Sequence, residues 1–311
     1  MHFIGVFNRD GGTFRTVDMA AFAADATRSF EEAGHTIECR VVQGRDLIRE
    51  LERTARDPAA GALLAGGGDG TISAAAAACF RHGKPLAVLP AGTMNLFAHS
   101  LKVPLNLDQA LRVVAEGEVA RVDIATANGR PFVHQYAVGM HSRLVRIRNG
   151  LTYHSRLGKI AASVRAAAAT FSRPLVFDAD IRTPNGIEHR RATAVAISNN
   201  LLGEGHVPYA EVVDQGVLGV YVVRPMPPGE LVRLALSLLV GTWKHHPLVS
   251  ERQVEQVTLS FPRRKASAKA VIDGELVDLE QRVELRVHPG ALQVIVPKVE
   301  APAADTVAEP A

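Results

Sequence analysis

Residues 61–72 leave the chain few ways to fold. An apolar run, Gly61 to Ala65, ends in Gly66-Gly67-Gly68-Asp69-Gly70-Thr71, and an alanine-rich segment follows. The pattern is strand, loop, helix. Glycines without a Cβ let backbone N–H groups close on a bulky anion, and the positive end of the helix dipole falls on the same spot. Phosphate is the expected guest, with Asp69 directed at a metal or a hydroxyl beside it. A capped strand-to-helix turn would use the same residues. A second loop of this kind, Leu89-Pro90-Ala91-Gly92-Thr93-Met94-Asn95, follows the short apolar strand 86–89 and favours the phosphate reading. In a parallel sheet the two loop tips lie side by side at the carboxyl edge, where open α/β sheets bind ligands.

From residue 3 to 123 the two textures alternate, with strands at 3–7, 36–42, 61–65 and 86–89 and helices near 17–33, 45–56, 72–81, 94–100 and 106–116. The alternation predicts an α/β fold whose N-terminal domain, residues 1–123, is a doubly wound parallel sheet. In helix 17–33, Met19, Phe22, Ala23, Ala26 and Phe30 recur at spacings of three and four and are expected in the core. From residue 119 the texture becomes strand-like, at 119–127, 131–140, 175–182, 190–198, 217–223, 255–261, 269–273, 282–287 and 291–296. Turn signals such as Asn128-Gly129 and Asn185-Gly186 separate these runs. An antiparallel, β-rich, sandwich-like domain over residues 124–298 is the expectation. Its last strand is a candidate to return to the first domain, and residues 299–311, rich in Ala, Pro, Glu and Asp, read as a flexible tail.

With 311 residues, 47% hydrophobic and 22% charged, the chain is globular and long enough for two cores. A net charge of +3 speaks against a dedicated nucleic-acid binder, although basic clusters could still meet an anionic membrane surface. Cys39 and Cys79 suit neither a disulfide framework nor a metal site and read as reduced, buried thiols. The N-terminal residues read as a strand rather than a signal peptide. The most apolar window, Leu231 to Trp243, is interrupted by Arg233 and falls short of the roughly 20 residues that span a bilayer. A cytoplasmic protein, peripheral to the inner face of the membrane, is expected.

The pair of motifs Gly67-Gly68-Asp69-Gly70-Thr71 and Pro90-Ala91-Gly92-Thr93-Met94-Asn95 resembles the diacylglycerol kinase catalytic-domain family of bacterial lipid kinases. NAD kinases share the first motif but carry a different sequence at the second. The resemblance extends thinly over nearly the whole chain. It implies an ATP-dependent kinase acting with Mg2+ on a lipid hydroxyl, such as that of diacylglycerol, at an anionic membrane surface. ATP would lie between the loops 8–13, 66–72 and 90–95, which makes Asn8, Gly12, Gly66, Gly67, Gly68, Asp69, Gly70, Thr71, Gly92, Thr93 and Asn95 the nucleotide-binding residues. In the first of these loops, Asn8-Arg9-Asp10-Gly11-Gly12-Thr13, Asn8 and Gly12 keep the family pattern while Arg9 replaces its proline.

Phosphoryl transfer asks for a metal on the phosphate oxygens, donors for the nucleotide and a base for the attacking hydroxyl. By the resemblance, Asp69 and Asp123 belong to a network around Mg2+, and Asp273, in Val271-Ile272-Asp273-Gly274-Glu275, is the base, with Glu275 as its substitute. Read locally, Asp123 is also a strand-end cap and Asp273-Gly274 a common hairpin turn. Asp214 matches a family segment where some members hold a structural magnesium, but Gln215 stands in place of the second acid.

For the acceptor, segment 155–171 sets Leu157, Ile160, Ala161, Val164, Ala168 and Phe171 on one stripe flanked by Arg156, Lys159 and Arg165. That suits an interfacial helix or an ordinary surface helix. Arg143, Arg146 and Arg148 add charge just before it. Leu231 to Val240, apolar nearly all round, reads as a buried helix or an acyl-chain lining. There is no Gly-x-Ser-x-Gly elbow, Walker loop, zinc signature or complete dinucleotide fingerprint. Two other functions compete: an NAD-kinase-like enzyme with a soluble acceptor, and an inactive nucleotide-binding regulator with Arg9 and Gln215 as first signs of decay. The lipid's identity and the oligomeric state, a homodimer included, stay open.

Overall fold

The computed structural model describes residues 1–140, 142, 145 and 176–298. The expected helix at 155–171, the arginines before it and the tail at 299–311 lie outside the described residues.

The alternating apolar runs at the start become β1 (His2–Asn8), β2 (Thr36–Val42), β3 (Ala62–Gly67) and β4 (Leu86–Pro90). They pair in parallel in the order β2-β1-β3-β4. Between them run α1 (Met19–Glu32), α2 (Gly44–Arg56) and α3 (Asp69–His82), with α4 (Leu96–Ser100) and α5 (Leu107–Glu116) after β4. α1 begins where Asp18 accepts the N–H groups of Ala20 and Ala21, and it buries Phe22, Ala26 and Phe30. Phe22 meets Phe7 of β1 and Phe14 edge-to-face, with ring centroids 5.2 and 5.3 Å away. Each such ring removed from water contributes about 1.5–3 kcal/mol. Cys79 is buried as expected, whereas Cys39 is partly exposed.

The second half forms a two-layer sandwich. β5 (Glu118–Ala127), β6 (Arg130–Phe132), β8 (Phe177–Thr183), β9 (Gly186–Ala192), β13 (Gln256–Ser260) and β16 (Arg282–Val296) pair antiparallel with one another and extend the first sheet beyond β4. The facing sheet runs β12 (Val249–Val254), β11 (Leu218–Val223), β10 (Ala194–Asn199), β7 (Gln135–Gly139), β14 (Lys269–Ile272) and β15 (Glu275–Asp278). Val257, Leu259, Val283 and Leu285 of one layer pack with Val138, Val195, Ile197 and Val220 of the other. The turn at Asn128 and Gly129 has φ of 46° and 80°, the left-handed pair a tight hairpin needs.

Several segments differ from expectation. The run expected at 131–140 divides into β6 and β7, and that at 190–198 into the end of β9 and β10, each pair shared between the two sheets, and β15 was not expected as a strand. The runs at 282–287 and 291–296 are one strand, β16, whose register to β5 shifts between His288 and Leu292, where Pro289-Gly290 interrupts the ladder. Its far end pairs with β4 in parallel at Val294 and Leu86, so the closing strand completes the first sheet. β12 was not expected as a strand, because Val-Ser-Glu-Arg-Gln-Val is polar; it sits at a sheet edge, where charged side chains are tolerated. Beyond β11, helix α6 (Pro228–Val240) packs Leu234 against Trp243 and Tyr221. No helix among the described residues is long and apolar enough to cross a membrane.

Candidate active site

The glycine stretch divides by task. Gly66 and Gly67 are the buried end of β3. A Cβ on Gly66 would stand 2.5 Å from the Phe7 ring, and one on Gly67 would stand 2.5 Å from Thr71 Oγ1, so both glycines are required by packing. Gly68, at the N-cap of α3, and Gly70 in its first turn line an open cavity of about 550 Å³. The second loop crosses the first at its glycine: a Cβ on Gly92 would meet Gly68 Cα at 2.6 Å. Asn95, with φ 50°, accepts the Gly92 N–H at 2.8 Å and donates to the Gly92 carbonyl at 3.1 Å, which closes the loop on itself. Thr93 lines the cavity.

Asp69 joins the two loops. Its Oδ2 accepts the Asn95 N–H at 3.0 Å and its Oδ1 the Leu96 N–H at 2.6 Å, capping α4 from the first residue of α3. One acceptor position remains on each oxygen. The first loop of the chain supports this arrangement from behind. Asn8 donates to Thr71 Oγ1 at 3.2 Å, Thr13 donates its N–H to the Ala91 carbonyl at 2.9 Å, and Arg9 donates to the Phe14 carbonyl. Gly12 has φ 46° and no room for a Cβ beside Ala91 O. Asn8, Gly12, Gly66, Gly67 and Thr71 therefore hold the loops, while Gly68, Asp69, Gly70 and Thr93 face the cavity.

Across the cavity stands the turn between β14 and β15. Asp273 is 7% exposed with φ 46°. Its Oδ2 accepts the Ser73 hydroxyl at 2.6 Å and the Val133 N–H at 2.9 Å, and its Oδ1 accepts the N–H groups of His134 and Gln135, each at 2.9 Å. Burial raises its pKa above the ordinary aspartate value, while these four donors pull the other way. Glu275, two residues on, is exposed at the cavity wall and pairs with Arg130 at 2.9 Å. Its Oε1 lies 3.6 Å from where a Cβ on Gly70 would stand, so this carboxylate reaches the glycine loop.

His134 also lines the cavity. Burial lowers its pKa to about 4, against the opposing charge of Asp69, and leaves the ring neutral at pH 7. The sequence offers no signal for it: one histidine between β6 and β7, in no motif.

Asp123 is placed apart from Asp69 and Asp273. It is 1% exposed, outside the cavity lining, and spends its oxygens on backbone: Oδ2 accepts the Gly216 N–H at 2.6 Å and Oδ1 the Gly290 N–H at 2.9 Å. It thereby fixes the irregularity in β16. Asn199, also unflagged by sequence, donates to the carbonyls of Asp123 at 2.9 Å and Val133 at 3.3 Å, linking this post to the strand end that holds Asp273.

Residues 2–127 match the diacylglycerol kinase catalytic domain, and residues 136–296 match the YegS C-terminal NAD kinase beta sandwich-like domain. The chain belongs to the diacylglycerol kinase catalytic-domain family. It is 32% identical over 119 residues to a "Probable lipid kinase YegS-like" of Yersinia enterocolitica, a match covering 37% of this chain and 40% of the relative. It is 26% identical to the uncharacterized protein sll0036 of Synechocystis over 76% of this chain and 54% of that protein, so it spans about half the length of that relative. A solved diacylglycerol kinase from Bacillus anthracis shares the fold, with a TM-score of 0.68 over 95% of this chain and 96% of that one at 17% identity.

The family segment around Asp214 is a turn here. Asp214 is exposed, Gln215 takes the Leu201 N–H on its Oε1 at 3.1 Å, and the Gln215 N–H is donated to Asn200 Oδ1 at 3.0 Å. The neutral Gln215 side chain is thus engaged with backbone. No group of three or more His, Cys, Asp or Glu side chains that could hold a metal occurs among the described residues.

Proposed function

We propose that the chain is an ATP-dependent kinase that transfers a γ-phosphoryl group to the hydroxyl of a lipid such as diacylglycerol. The observation that carries this reading is the facing of the α3 N-terminus and the 273–275 turn across one cavity. The N–H groups of the first turn of α3 have no intrahelical acceptor and suit nucleotide phosphates. Leu96, Phe97, Val133 and Pro208 also line the cavity, and these apolar side chains suit the hydrocarbon of a lipid better than a soluble acceptor.

Mg2+ takes one or two carboxylates together with phosphate oxygens and water. The free acceptor positions of Asp69 fit that mode, whereas a cage built wholly from protein side chains does not fit. Asp69 would hold the ion, which supplies neutralisation of phosphate charge. Neutral His134 can donate one ring N–H into the same space.

The assignment of the base moves from Asp273 to Glu275. Releasing any donor of Asp273 would strand a buried group at a cost of about 1–3 kcal/mol. Glu275 is free of that constraint. It takes the proton of the lipid hydroxyl as the new O–P bond forms and ADP leaves, while Asp273 positions the turn.

Incubating the purified chain with γ-labelled ATP, Mg2+ and a lipid panel, followed by mass spectrometry of the organic phase, tests the reading. Label in a lipid hydroxyl is expected. Label in NAD, or in no acceptor, would overturn it.

A further inference from the structure

Away from the glycine-loop cavity, a second concavity of about 310 Å³ opens between the end of β9, the segment after β11 and the approach to β12. His189, Arg190, Arg191 and Arg224 line it, and no acid does. Arg190 pairs with Glu188 at 2.6 Å, a carboxylate it shares with Arg252, and His189 faces Asp180 at 2.6 Å. Among the described residues neither Arg191 nor Arg224 has an ion-pair partner, and both are exposed. Two unpaired guanidiniums beside the Ser250 hydroxyl call for an oxyanion, and the planar fork of arginine is suited to phosphate.

The neighbouring element says what kind of molecule carries that phosphate. Leu248 both lines the concavity and packs against the Leu234 and Trp243 cluster beneath α6. α6 begins three residues after Pro225, itself a lining residue. Its outer side carries Val232, Leu236 and Val240, 50%, 56% and 76% exposed. Spaced by four, they form one apolar row along the helix. A free phosphate would satisfy the arginines and leave this row in water; an amphiphile satisfies both.

We propose that this face docks on an anionic bilayer, with Arg191 and Arg224 holding a phospholipid headgroup phosphate and the row Val232, Leu236 and Val240 entering the acyl boundary. The proposal deepens the lipid-kinase reading, on which its purpose rests, by naming the surface that brings the enzyme to its substrate.

Co-sedimentation with vesicles tests it directly. The full chain should bind vesicles of phosphatidylglycerol and phosphatidylcholine far better than phosphatidylcholine alone. Arg191→Gln with Arg224→Gln should weaken that binding about 25-fold, roughly fivefold for each charge. Leu236→Ser should weaken it as well, while Arg28→Gln with Arg49→Gln, elsewhere on the surface, should not. Thermal melts and turnover of a short-chain diacylglycerol in neutral detergent micelles should be unchanged in every variant, which separates docking from folding and catalysis. Wild-type binding by the double variant overturns the proposal. So does displacement by inorganic phosphate beyond a chloride control of equal ionic strength, which would mark a free-phosphate site. A dimer that Leu236→Ser dissociates without loss of vesicle binding would make the row an interface between copies and overturn it too. If the wild-type chain phosphorylates no lipid yet binds vesicles through these arginines, docking stands and the kinase reading falls.

Discussion

The Ser73 hydroxyl donates to Asp273 Oδ2 at 2.6 Å, although the two residues are 200 positions apart. Ser73 lies one turn along α3 from Asp69, so this bond ties the helix that presents the glycine loop to the turn that presents Glu275. Both walls of the cavity are thereby held in one geometry, which is what positioning of two reactants requires.

Ser73→Ala removes one of four donors from a buried carboxylate and should cost about 1–2 kcal/mol, seen as a fall in Tm of a few degrees. Asp273→Ala leaves three backbone N–H groups without their acceptor and should cost about 3 kcal/mol or more, with loss of turnover. Calorimetry of the two variants checks the order; equal melting temperatures would show that the carboxylate is not the post that holds this turn.

Glu275→Gln should lower kcat by about 10²–10⁴ while leaving Tm and ATP affinity close to wild type, because the side chain is exposed and makes one ion pair. Steady-state kinetics with calorimetric ATP titration separates the two quantities. Turnover at the wild-type rate would return the search for the base to Asp273.

Gly92→Ala would push a methyl group to 2.6 Å from Gly68 Cα, and backbone there cannot yield without parting the loops. ATP affinity should fall on the order of 10–100-fold with the rest of the fold retained. Fluorescent-nucleotide titration measures it.

His134 is held at a pKa of about 4, below the 6.5 of the unfolded chain. Between these values the unfolded chain binds more protons, so stability rises with pH across that window and is fully present above it. The effect is at most about 3 kcal/mol, with Asp69 opposing it as the facing charge. His134→Gln should flatten this part of the Tm profile in the nucleotide-free and metal-free chain between pH 4 and 6.5; an unchanged slope would place its origin elsewhere.

The glycine loops were legible because their signals are local: an apolar run, glycines, then a helix former. The acid constellation was legible only as three separate candidates. Asp69 and Asp273 line one cavity, while Asp123 turned out to hold Gly216 and Gly290. Nothing around Asp123 in the chain distinguishes a carboxylate that faces a ligand from one that caps a strand irregularity. His134 and Arg130 lacked any mark, since His134 reaches the cavity, and Arg130 reaches Glu275, only through the pairing of β7 with β14 and the β5–β6 hairpin. α6 was read as buried all round or as a lipid lining, and its outer apolar row appeared only once its packed side was known.

From the amino-acid order alone came the alternation of strands and helices and the placement of glycines where backbone must approach an anion. These depend on side-chain period and on φ, both properties of a few consecutive residues. Which carboxylates keep a free oxygen was decided by tertiary structure. The donors that fill Asp273 come from residues 138 to 140 and 200 positions away, and no local pattern encodes a partner at that distance.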